Sequence, residues 1–111
     1  MSVTYASEPN LSVSDFKRVL VASGLAERRP VDDTARLENM LANADVIIVA
    51  RDTNGEAVGV ARSVTDYSYC LYCSDLAVDE AYQGHGIGKR LLAETAKAVP
   101  GVKTCLLTSA P

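Results

Sequence analysis

Hydrophobic positions recur twice at helical spacing in the first half of the chain, and the pattern then switches to β-rich runs. In LSVSDFKRVLVASG, Val13, Phe16, Val19 and Leu20 fall on one helical face. Ser12, followed three residues later by Asp15, is similar to a capping box, with Asp in the place usually held by Glu or Gln, and Gly24 ends the run. After Pro30, DDTARLENMLANA repeats the pattern with Leu37, Met40, Leu41 and Ala44. Both stripes read as core packing. DVIIVARDTNGEAVGVARSV is then two strands around Asp52-Thr53-Asn54-Gly55-Glu56, where Asn-Gly is a strong hairpin signal. A polar turn near Asp66 leads into a longer strand from about Tyr69 to Val78. A glycine-rich turn, a helix from about Gly86 to Val99, a stop at Pro100-Gly101 and a strand from Val102 to Ser109 complete the chain. With VTYAS as a short first strand, the order is β-α-α-β-β-β-α-β, an α/β arrangement. Its last strand-helix-strand unit predicts a right-handed crossover between parallel neighbours.

Composition narrows the class. A length of 111 residues predicts one domain, and 48% hydrophobic with 23% charged residues is globular rather than disordered. The net charge of −3, with Arg28-Arg29 and Lys89-Arg90 as mere pairs, argues against a general nucleic-acid binder. No apolar run approaches the roughly 20 residues of a membrane span. The opening MSVTYASEPN lacks the basic start and apolar stretch of a secretory signal, so a cytoplasmic protein is expected. Cys70, Cys73 and Cys105 make an odd count, which argues against a disulfide framework. CLYC has redox or zinc-site spacing, but on a strand positions three apart face opposite ways, and His85 is the single histidine. Small buried thiols are the expectation, with no metal.

The chemistry concentrates in VDEAYQGHGIGKRLLAETAKAV, where Gly84, Gly86 and Gly88 alternate just before a helix. A helix N-terminus presents unpaired N–H groups and the positive end of the dipole. Removing Cβ atoms lets a ligand approach that backbone and permits positive φ. Together these predict a phosphate site; a tight turn alone would need only one glycine. The dinucleotide fingerprint fails because Lys89 stands where its third glycine belongs. The G-x-x-x-x-G-K-[ST] loop fails at Gln83 and Arg90.

What remains, V-x-x-x-x-Q-G-x-G-x-G from Val78 to Gly88, resembles the acetyl-coenzyme A signature of the GNAT (Gcn5-related) N-acetyltransferase superfamily. The preceding DLAV strand, the following KRLLAETAKAV helix and the upstream order of elements extend the likeness over nearly the whole chain. The resemblance implies a mixed central sheet with helices on both faces. It implies that Gln83, Gly84, His85, Gly86, Ile87, Gly88 and Lys89 cradle the pyrophosphate of acetyl-CoA through their backbone. The strand residues Leu76, Ala77 and Val78 would hold the pantetheine arm. Lys89 adds positive charge or is an ordinary solvated helix residue, and the His85 side chain is expected to be exposed rather than a base.

The implied reaction is acetyl transfer from acetyl-CoA to the amine of a small molecule or protein, with the Val78 N–H polarising the thioester carbonyl. Candidates for proton transfer are Asp75 and Tyr72. Asp75 reads equally as an ion-paired strand residue, and Tyr72 competes with Tyr69 for the cleft, since alternation puts the two on opposite faces. A non-catalytic acetyl-CoA-binding sensor or docking module is the alternative function. The family usually continues into a further helix with a tyrosine and a closing hairpin, whereas no tyrosine follows Tyr82 here. The expectation is therefore a single domain, 1–111, truncated at its C-terminus. Its last strand would be an open edge that a second copy could cover.

Overall fold

The computed structural model describes residues 2–107. Along the chain run β1 (Thr4–Ser7), α1 (Val13–Ser23), α2 (Thr34–Ala42), β2 (Val46–Arg51), β3 (Ala57–Thr65), β4 (Cys70–Val78), α3 (Ile87–Ala98) and β5 (Thr104–Leu107). The order expected from the sequence is the order observed. Boundaries move by a residue or two: Tyr69 precedes β4 instead of opening it. Thr108 and Ser109, placed in the last strand by the sequence, lie outside the described residues.

Local signals explain the helix ends. The Ser12 hydroxyl accepts the Asp15 N–H at 3.1 Å, and Gly24 closes α1 at φ 85°. At the second helix the cap is Asp33, whose carboxylate accepts the Arg36 N–H at 3.0 Å. Each cap satisfies an N–H that the helix itself cannot pair.

The five strands form one sheet in the order β1-β2-β3-β4-β5. The first four are antiparallel, and β4 and β5 are parallel neighbours joined through α3. Helices cover both faces. On one, Phe16, Val19 and Leu20 of α1 with Leu37 and Leu41 of α2 pack on Ile47, Val49, Val60 and Ala77. On the other, Ile87 and Leu91 of α3 pack on Ile48, Ala50, Val58, Ala61, Leu71 and Cys73. This double cover is why β2 is apolar without alternation: both faces of VIIVA are buried. Tyr5 joins β1 to the α3 layer, with the Arg90 guanidinium 4.7 Å above its ring.

The sheet's irregularity sits in β4. Arg62 faces Asp75 and Ser63 faces Cys73, so Ser74 has no partner on β3. Such a bulge shifts the phase of alternation by one residue. Leu71 and Cys73 accordingly lie in the α3-side core, whereas Ala77, an even number of positions on, lies in the α1-side core. Among the described residues no helix is long and apolar enough to cross a membrane.

Candidate functional site

The phase of the β3–β4 ladder decides which backbone groups of β4 are free. The Asp79 N–H donates to the Val58 carbonyl at 2.8 Å. In an antiparallel ladder, bonded and non-bonded pairs alternate. With Val60 opposite Ala77 and Gly59 opposite Val78, the bonded residues of β4 are therefore Asp75 and Ala77. Leu76 and Val78 turn their N–H and C=O groups away from β3. On that side β5 pairs only with Cys70 through Cys73 among the described residues. Among the described residues the Leu76–Val78 edge thus has no strand partner, and both of its N–H groups are free. Ala77, grouped with these two by the sequence-based expectation, is a correction. Its backbone is committed to β3, and its side chain is buried in the α1-side core.

The glycine turn continues from this edge. Asp79 starts it, its carboxylate accepting the Ala81 N–H at 2.9 Å and an Arg18 N–H at 3.4 Å. The Gln83 side-chain amide donates to the Val78 carbonyl at 3.0 Å, tying the turn back to the strand. The Gln83 N–H goes to the Glu80 carbonyl at 3.4 Å, so this amide does not join the cradle expected from the sequence. From Gly84 to Lys89 no amide has a hydrogen-bond partner among the described residues; the next one, Arg90 N–H, closes the first helical bond onto Gly86 at 3.0 Å.

Two of the glycines are there for conformation. Gly84 at φ 85° and Gly86 at φ 78° are left-handed, and a Cβ on either would project into open space. Gly88 is helical, and a Cβ there would meet Val78 and Leu76 side-chain atoms at ordinary distances of 3.7 and 3.9 Å. The buried Ile87 side chain anchors the turn in the α3-side core, while His85 and Lys89 are exposed. The result is a row of free N–H donors at a helix tip, continuous with an open strand edge. It suits an anionic group attached to an extended, amide-bearing arm.

Asp75 is fully buried and not available as a base. One carboxylate oxygen accepts from Arg29 Nε and the other from Arg62 Nε. Arg29 also donates to the Ser74 carbonyl at 2.8 Å, and Arg62 to the Met40 carbonyl at 3.2 Å. The base reading gives way to the ion-paired one. Tyr72 is partly exposed beside Val64, its cross-strand neighbour, and Tyr69 is exposed in the turn before the strand. The Cys73 thiol is raised above its usual range, chiefly by burial, while Cys70 and Cys105 are exposed.

Sequence reasoning missed Arg29, Arg62 and the bulge. One signal was available: an arginine inside the apolar run GVARSV and an aspartate inside CSDLAV each need a partner when buried.

The sequence profile of the acetyltransferase (GNAT) family matches residues 14–108. The chain belongs to the GNAT acetyltransferase family. Solved GNAT-fold structures agree in architecture. A GNAT-family acetyltransferase from Streptococcus pneumoniae superposes with a TM-score of 0.79 at 24% identity, covering 98% of this chain and 76% of that one. An aminoglycoside acetyltransferase from an uncultured soil metagenomic sample, in complex with sisomicin, gives 0.68 at 23% identity over 98% of this chain and 77% of that one. An aminoglycoside N-acetyltransferase in complex with CoA gives 0.74 at 16% identity over 99% and 78%. These likenesses carry the fold. As a GNAT acyltransferase the chain is expected to accept a coenzyme A thioester, and its own geometry fits one. The free amides suit the diphosphate, and the open Leu76–Val78 edge suits the amide groups of the pantetheine arm.

Proposed function

We propose that this GNAT acetyltransferase moves an acetyl group from acetyl-CoA to the amine of a small molecule or of a protein. The observation that carries the reading is the row of unpartnered amides from Gly84 to Lys89, running directly into the open edge at Val78 and Leu76. Bound there, acetyl-CoA supplies the activated acyl group. The helix tip holds the diphosphate by main-chain N–H donation, with Lys89 adding charge from the first turn of α3. Val78, next to the turn, meets the arm first, and Leu76 lies farther along toward the bulge. The carbonyl-polarising role assigned to Val78 by sequence therefore moves to the Leu76 N–H, the farther of the two free donors. With Asp75 locked between arginines, holding amine and thioester in line supplies much of the rate. The incoming amine loses its proton to water, and its nitrogen bonds the acetyl carbon as the carbon–sulfur bond breaks. Coenzyme A leaves as the thiol, protonated by the Tyr72 hydroxyl, which water reprotonates.

The test is paired. Coenzyme A binding is measured by calorimetry, and thiol release from acetyl-CoA is followed across an amine panel. Binding with release for at least one amine supports the transferase; a protein that does not bind coenzyme A overturns it. Binding without release for any amine favours the second reading, a non-catalytic acetyl-CoA module. The specific support for that reading is the buried, doubly paired state of Asp75.

We further infer self-association through β5, which is the last strand of the sheet among the described residues. Sedimentation that reports a clean monomer removes this part.

A further inference from the structure

We propose that Arg29 is a positioning residue for the coenzyme edge: by pinning the Ser74 bulge it fixes which residues of β4 face the cleft. This rests on the acetyl-CoA reading above. The extra residue in a bulge leaves its carbonyl outside the ladder. Arg29 takes up that carbonyl, donating to the Ser74 oxygen at 2.8 Å, while its Nε holds Asp75 and its other terminal nitrogen holds the Arg28 carbonyl at 2.8 Å. Arg62, on the facing strand, takes the second oxygen of Asp75 and reaches the Met40 carbonyl in the last turn of α2.

Two guanidinium groups against one carboxylate leave the buried cluster with a surplus positive charge. The carbonyl end of α2, to which Arg62 donates, offsets it. Well-packed apolar residues would hold such a cluster together at least as firmly. What the arginine fork adds is direction: three acceptors, on β4 and on the connector between α1 and α2, are fixed in one plane. That direction matters because a one-residue slip of β4 would exchange Leu76 and Val78 with Ala77. The free N–H groups would then turn toward β3 and the cleft edge would lose its donors. Arg29 lies in the connector just before Pro30, so the pin also links the helical layer to the strand that carries the site.

The experiment compares wild type, Arg29→Met, Arg29→Lys and Arg51→Met as full chains, at a temperature where circular dichroism reports each folded. Arg51 pairs with Glu8 and Asp15 away from β4 and serves as the control for loss of an ion pair. Coenzyme A binding should weaken at least tenfold in Arg29→Met, less in Arg29→Lys, and not at all in Arg51→Met. Wild type and Arg29→Met of equal affinity would overturn the positioning role. If Arg29→Met does not fold, Arg29→Lys with wild-type affinity overturns it instead. A wild type that does not bind coenzyme A overturns the acetyl-CoA reading, and hydrogen exchange without ligand then tests the pin. In wild type the Ala77 amide should be protected and those of Leu76 and Val78 fast; Arg29→Lys or Arg29→Met should blur that contrast. An unchanged pattern refutes the pin.

Discussion

At the scale of single residues, the glycines of the turn have different jobs and separate cleanly by mutation. Gly86 is left-handed, so Gly86→Ala should cost about 1–2 kcal/mol of stability. Gly88 is helical with room for a methyl group, so Gly88→Ala should stabilise by roughly 0.5–1 kcal/mol. Urea unfolding of the two variants checks both signs. Asp66 makes a pH prediction. Its carboxylate accepts the N–H groups of Ser68, Tyr69 and Cys70, which hold its pKa at about 2, below the ordinary value of 3.8. A pKa depressed in the folded state gives stability that is present above the unfolded value and lost as pH falls through the folded one. Thermal melts should therefore lose stability from about pH 4 down to about pH 2, and Asp66→Asn should flatten that segment of the profile. A variant with the same acid slope as wild type would refute the assignment.

At the scale of elements, the bulge makes backbone count matter more than side-chain identity. Ser74 contributes its carbonyl and its extra length, so Ser74→Ala should shift stability by no more than about 0.5 kcal/mol. Deleting Ser74 makes the ladder regular: Arg62 still faces Asp75 and Ser63 still faces Cys73, so Asp75 keeps its face, but the extra carbonyl that Arg29 holds is gone. That variant should still melt cooperatively, as followed by circular dichroism, at a lower temperature than Ser74→Ala. The same contrast explains what could be read from the sequence. Helical stripes such as Phe16, Val19 and Leu20, the Asn54-Gly55 hairpin and the glycine turn are local patterns, and each stands where its pattern put it. The bulge is not local. It exists because Arg62 on one strand and Arg29 in a distant connector converge on Asp75, and no spacing within CLYCSDLAV encodes that. For the same reason the sequence left Asp75 open between a base and an ion-paired residue and grouped Ala77 with Leu76 and Val78: the partner strand skips Ser74, and the two arginines that pair Asp75 come from elsewhere in the chain.

At the scale of the whole molecule, the sheet is filled from both faces, and the site lies where β4 and β5 pair over only part of β4. A radius of gyration of 13.0 Å is that of a compact chain of about this size. Ligand linkage then gives a global readout. Coenzyme A at about 100 times its dissociation constant should stabilise the fold by about 2.7 kcal/mol. Calorimetric melting should therefore move upward by several degrees in wild type. A ligand-independent melting temperature would refute binding to the native state.

The donors from Gly84 to Lys89 also have an experimental consequence. They belong to peptide bonds, so an alanine scan is nearly blind to them: truncating His85 or Lys89 leaves every one in place. Chemistry that edits the chain itself can see them. Exchanging the amide at Ile87 or Gly88 for an ester, through an incorporated α-hydroxy acid, deletes one donor and leaves the side chain untouched, and the affinity lost at each step would weigh the grip atom by atom.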